Sequence, residues 1–322
     1  MTLVSLFRGK FSKKDTYHFG PRSITFVYKV LSKKESFKIK IAGKVREYFG
    51  MYAIEQIKKE LFKFKDDYLL QEIMSLEVRI VKRDEYIYQM AMWMDDIRQI
   101  IYVNLYYLDK TNINQVFIHE LAHLLNFNLS QVQLWKKKYH EISKKKIIKS
   151  VKKDSSKDLA THIYNIRFWF QNFFIRVINE GVADYYLYLR NNEIIFGEEY
   201  FDQLYDVAKD EAYIVNDGVV NNFKNWNINI SINRLQQDIN CSIGKSFYKI
   251  GPHIIFTLVY SGLNYFELIK KKPFQLIRIY ENYMVKNHMQ PVISFGNDRG
   301  IISYKRLLSL LKEVYEKKKN HR

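Results

Sequence analysis

Two spacings of apolar residues divide this chain. In roughly its first hundred residues they recur at every second position in short runs. Ile24, Phe26, Tyr28 and Val30 form one such run, and Phe37, Ile39 and Ile41 form another. Alternation of this kind marks strands with one covered face. The polar stretch Ser32-Lys33-Lys34-Glu35 between them predicts a β-hairpin over 23–43. A helix is predicted at about 45–64 from Ile54, Ile57, Leu61 and Phe62, and strands at Leu76 to Val81 and Gln99 to Tyr106. The spacing changes after Asp109-Lys110-Thr111-Asn112. Val116, Ile118, Leu121, Leu124 and Leu125 recur at helical intervals, with Thr111 or Asn112 as the N-cap. A second long helix is predicted from about 158 to 190, dense in aromatic residues (Phe168, Trp169, Phe170, Phe173, Phe174). The remainder reads as mostly helix, with a loop-like, Asn-rich stretch at 216–245.

This pattern predicts an α+β protein: a small N-terminal lobe mixing strands and helices, then a mostly helical C-terminal lobe. No internal repeat and no Pro/Gly/Ser-rich linker interrupts it. The expected divisions are a basic hairpin region at 1–48, an α+β lobe at 49–135, a lysine-rich connection at 136–157 and a helical lobe at 158–322.

Composition narrows the class. Apolar residues make up 47% of the 322 residues, enough for a sizeable core. The single cysteine, Cys241, leaves no intramolecular disulfide and no thiolate metal site. The N-terminal apolar run is too short for a secretory signal, and interior runs such as Ile254 to Tyr260 fall short of a bilayer span. A soluble, cytoplasmic protein is expected. The net charge is +18 and uneven. Residues 1–50 hold twelve Lys/Arg against Asp15, Glu35 and Glu47, and Lys136 to Lys153 holds nine lysines against Glu141. These blocks could meet an anionic partner, though a lysine-rich solvated surface explains them as well.

The chemistry-bearing pattern is His119-Glu120-Leu121-Ala122-His123. On a helix, imidazoles at i and i+4 lie about 40° apart around the axis and can reach one metal ion, with the intervening carboxylate aimed at a metal-held water. Catalytic zinc needs a third protein ligand and an open position. A metzincin would place a third histidine six residues on, where this chain has Leu129; a deformylase would need an upstream cysteine. His140 and His162 are possible ligands. The strongest candidate is Glu180 in Asn179-Glu180-Gly181-Val182-Ala183-Asp184, where Glu180 and Asp184 are one helical turn apart within an apolar run. One carboxylate can bind the metal while the other accepts the outer N–H of a liganding histidine.

In these two motifs the chain resembles the gluzincins, the zinc peptidases with two histidine ligands and one glutamate. The resemblance implies a zincin-like fold and one Zn2+ held by His119, His123 and Glu180. It makes Glu120 the catalytic base, with Asp184 and Asn179 supporting the ligands from behind. Tyr248-Lys249-Ile250-Gly251 is similar to the Tyr-x-x-Gly segment of the aminopeptidase branch, which implies that the Tyr248 hydroxyl binds the oxyanion. His253 is the rival for that task, or else a core histidine. The chain departs from the family in the 56 residues between His123 and Glu180 and in lacking a Gly-x-Met-x-Asn pattern around Met90 to Met94. Aminopeptidase specificity is therefore not expected.

The expected function is a zinc-dependent metallopeptidase acting on a peptide or protein substrate, with the strand near 99–106 as an edge for peptide pairing. The alternative is a zinc-containing binding protein whose basic surface meets nucleic acid or a protein partner. Retention of Glu120 argues for the enzyme, since a structural site needs no base.

Overall fold

The structure, a computed structural model, describes residues 13–19, 22–28, 37–41, 44–48, 55–57, 59, 75–81, 92–95, 100–104, 113–130, 157–191, 198–225 and 246–320. The chain divides into two compact units, Met1–Leu129 and Ser130–Arg322.

In the first unit, β1 (Lys13–Phe19) and β2 (Arg22–Tyr28) are antiparallel with Phe19 opposite Arg22, so only Gly20 and Pro21 lie between the paired ends. β3 (Phe37–Ile41) and β4 (Lys44–Tyr48) repeat the device, with Ala42 and Gly43 between Ile41 and Lys44. Two-residue connections are the commonest way to reverse a strand. They replace the predicted hairpin: β2 and β3 are both strands, but they belong to different sheets. The turn expected at 32–35 lies outside the described residues. β4 also occupies the start of the helix predicted at 45–64, where helical conformation is described at 55–57 and 59.

β5 (Ser75–Val81), β6 (Met92–Asp95) and β7 (Ile100–Asn104) complete a five-stranded sheet in the order β1-β2-β5-β7-β6. β2, β5 and β7 are parallel, and the two outer strands are antiparallel to their neighbours. Strands from the expected 1–48 and 49–135 segments thus share one sheet. Because side chains alternate along a strand, Leu76, Val78, Ile101, Val103 and Met92 fall on one face, and all are buried. The opposite face is polar at β1, β2 and β5, where the Thr16 and Thr25 hydroxyls lie 3.1 Å apart and Glu77 pairs with Arg79. At β7 both faces are covered. This corrects the reading of 99–106 as an edge: β7 is flanked by β5 and β6, and the edge beside it is the short, unforeseen strand β6. Eight residues after β7 the chain enters α1 (Ile113–Ser130).

The second unit is built from α2 (Lys157–Asn191), α3 (Glu198–Asn225), α4 (Phe247–Tyr260), α5 (Tyr265–Lys270), α6 (Pro273–Lys286) and α7 (Tyr304–Asn320). A two-residue parallel pair, β8 (Ile293–Ser294) with β9 (Ile302–Ser303), lies between α6 and α7. Helix α3 corrects the loop reading of 216–245 as far as Asn225. Ala208, Ala212, Val215, Val219 and Phe223 recur every three or four residues and are buried, and that face outweighs the poor helix propensity of the asparagines and Gly218. Residues 226–245 lie outside the described residues.

Helix α4 is buried nearly all round and forms the centre of this unit. It meets α2 backbone to backbone. A Cβ on Gly181 would stand 2.2 Å from the Gly251 carbonyl oxygen, and one on Gly251 would stand 2.3 Å from the Val177 carbonyl oxygen. Only glycine fits either place. Farther along, Tyr185 and Tyr188 of α2 contact Phe256 of α4, so the two helices leave the crossing in the same direction. Pro252 lacks the N–H that would bond the Tyr248 carbonyl one turn back, which loosens the first turn of α4. Among the described residues no helix is long and apolar enough to cross a membrane.

The glycine contact makes a direct prediction. Gly251→Ala should lower the unfolding free energy by about 2 kcal/mol or more, because the clash is with backbone that cannot rotate away. Urea titration followed by helical circular dichroism measures it. An unchanged midpoint would mean that α2 and α4 do not touch at Gly251.

Candidate metal centre

Over residues 113–125 helix α1 has one open edge and is otherwise buried. Ile113, Phe117, Ile118, Leu121, Ala122, Leu124 and Leu125 are buried, whereas Gln115 is exposed and Asn114, Val116 and His119 are half-buried. His119 and His123 lie along this edge, one turn apart. Glu120, beside it, is 7% exposed and His123 is 6% exposed. The two imidazoles stand edge to face, with centroids 4.6 Å apart and planes at 88°. One ligand atom from each of His119, Glu120 and His123 lies within 4.8 Å of the others. Bonds from zinc to nitrogen or oxygen are about 2.1 Å, so modest side-chain rotations bring such donors onto one ion. Two imidazole nitrogens and a carboxylate are donors that divalent metals, zinc among them, accept.

Leu129 is still within α1, one and two-thirds turns past His123.

The carboxylates of the second motif lie in the other unit, on the continuous helix α2. Glu180 is 7% exposed among buried Val177, Ile178, Val182 and Ala183; Asn179 and Asp184 are half-buried. Glu180 and Asp184 are one turn apart, as expected. His162 is on the same helix, about 27 Å along the axis from Glu180. His162 and Glu180 therefore exclude each other as ligands of one ion. His140 and the lysine block at 136–153 lie outside the described residues.

Tyr248 is half-buried in the first turn of α4. That turn is anchored to α3 through Glu211, whose carboxylate accepts from the Ser246 hydroxyl at 2.5 Å and the Lys249 ammonium at 2.6 Å. Burial pushes the Glu211 carboxyl up, but bonds from Lys249 and Ser246 outweigh it and hold the group below its usual range.

His253 lies elsewhere, fully buried against Phe201, Tyr205 and Tyr280. Its Nε2 is 3.1 Å from the Tyr280 hydroxyl, which also accepts the Val292 N–H at 3.0 Å; its Nδ1 has no hydrogen-bond partner among the described residues. Desolvation lowers its pKa from 6.5 to about 3, so the ring is neutral near pH 7. Of its two sequence readings, oxyanion binder or core histidine, this environment describes the second.

Sequence reasoning gave no role to Tyr265 or Glu211. Each acts through a contact across dozens of residues, Tyr265 with Val182 and Glu211 with Ser246 and Lys249. No local spacing announces such contacts.

No protein-family model matches the chain, and neither a curated protein nor a solved structure is significantly similar to it.

The burial of His253 sets a pH dependence. Its folded pKa lies below the unfolded value, so its contribution to stability is full above about pH 6.5 and falls as pH drops toward 3. The loss should reach a few kcal/mol. Urea unfolding from pH 7 to pH 4 should show a flatter dependence for His253→Gln than for the wild type. Identical slopes would contradict a desolvated His253.

Proposed function

We propose that this protein is a zinc-dependent metallopeptidase of the gluzincin type, with a zincin-like α+β arrangement. The observation that supports it most is the convergence of His119, Glu120 and His123 within 4.8 Å on a helix that is otherwise largely buried. Two imidazoles one helical turn apart suit a divalent ion, and the carboxylate between them is close enough to act on a water beside it.

In this reading His119 and His123 would each offer one ring nitrogen to Zn2+, and Glu180 would offer a carboxylate oxygen. Bound there, zinc supplies a Lewis acid and a water acidified toward neutral pH. Glu120 would serve as the general base, holding the proton taken from the attacking water until the departing amine receives it. Its burial keeps the carboxylate away from bulk solvent and raises the strength of every charge interaction around it. Asp184, with Asn179 beside Glu180, supports the ligands from α2. The oxyanion falls to the Tyr248 hydroxyl, a contribution worth a few kcal/mol in the barrier. His253, closed within the core, has no part in it.

An extended peptide is assigned to the outer edge of β6, which is the open edge nearest β7 in the described sheet. The reading goes with a cytoplasmic protein, and with the lysine blocks as the surface for any anionic partner.

Replacing Glu120 by Gln separates binding from chemistry. The variant should keep one zinc per chain and lose at least about a hundredfold in hydrolysis of a quenched-fluorophore peptide library. Full activity with zinc retained would refute the assignment of the base.

A further inference from the structure

The turn of α2 that carries Glu180 and Asp184 is gripped from two sides. On one side Gly181 rests against the backbone of Gly251. On the other, the Tyr265 hydroxyl donates to the Val182 carbonyl at 3.0 Å, a buried bond spanning 83 residues. The Tyr265 ring lies over the same turn, stacked on Tyr185 at 5.1 Å and on Tyr186 at 6.4 Å.

How Tyr265 reaches this place follows from the connection before it. Helix α4 ends at Tyr260, and Gly262 turns the chain with φ +95°, a conformation that glycine alone adopts without strain. Asn264 then caps α5 by accepting the Phe266 N–H at 2.8 Å. Tyr265, the first residue of α5, is thereby delivered back onto α2.

The Val182 carbonyl is also the regular helical acceptor for the Tyr186 N–H. A second donor on the same oxygen ties this turn of α2 to the start of α5. Val182 stands midway in sequence between Glu180 and Asp184, so a tie at its carbonyl restrains the turn that carries both carboxylates. The Gly181 contact holds the turn against α4, and the Tyr265 bond holds it to α5.

We propose that Tyr265 is a positioning residue for the Glu180 and Asp184 carboxylates, setting their aim through the Val182 carbonyl. The inference rests on the reading of Glu180 as a metal ligand. It predicts that removing one phenolic oxygen, with no change at any ligand, weakens metal binding.

The test uses Co2+ as a spectroscopic probe in the full chain. Its dissociation constant is measured by competition with a chelator, and its visible absorption is recorded for wild type, Tyr265→Phe, Glu180→Ala and Asn297→Ala. The last removes a 3.0 Å bond to Glu281 elsewhere in the same unit and reports what general destabilisation does. Tyr265→Phe should weaken Co2+ binding about tenfold and shift the cobalt bands, with Asn297→Ala staying near the wild-type constant. If Glu180→Ala loses the metal and Tyr265→Phe binds it as the wild type does, the positioning role is wrong and the metal reading stands. Wild-type affinity in Glu180→Ala would overturn both. Equal weakening in Tyr265→Phe and Asn297→Ala would reduce Tyr265 to a stabilising contact and overturn the inference.

Discussion

Burying two polar side chains of α1 is the constraint on which the candidate site depends. Glu120 and His123 are withdrawn from water to within a few percent of full burial, on a helix whose other faces are packed with Phe117, Ile118, Leu121 and Leu124. Desolvating a carboxylate and an imidazole together costs several kcal/mol unless charge and hydrogen bonds offset it. In the proposed reading a divalent cation beside both contributes to that offset. The site is then part of the stability of the first unit as well as of its chemistry.

The second unit meets a different constraint with a different device. There two helices pack closer than any side chain at the contact allows. Helix α2 is held by direct backbone contact: Gly181 against Gly251, with Tyr185 and Tyr188 continuing onto Phe256. The glycines of Glu180-Gly181 and Tyr248-x-x-Gly251 are thereby explained by packing. Each segment carries a glycine that lets α2 and α4 approach closely.

Much of this was legible in the sequence where the signal is local. The strands at 76–81 and 100–104, the motif helix and the long helix from 157 to 191 follow from apolar spacing alone. So does the geometry of His119, Glu120 and His123, because i and i+4 on a helix leave little freedom. Choice of partner was not legible. β2 turned back through Gly20-Pro21 onto β1 and paired in parallel with β5, although its alternation fitted β3 equally well. β6 is four residues long, too short for alternation to stand out, yet it removes the edge expected at β7. Helix α3 was hidden by asparagines whose cost is recovered only by the buried face of Ala208, Val215 and Phe223. His253 could be read two ways until its surroundings, Phe201 and Tyr205 of α3 and Tyr280 of α6, were brought together.

The central claim is one metal ion shared by the two motifs. Anomalous diffraction at the zinc edge, from crystals of the zinc-loaded protein, tests it most directly. A single anomalous peak is expected within about 2.1 Å of one ring nitrogen of His119, one of His123 and a carboxylate oxygen of Glu180. A peak bonded to the two histidines but to His140 or His162 instead of Glu180, or no peak at α1 at all, would contradict the account.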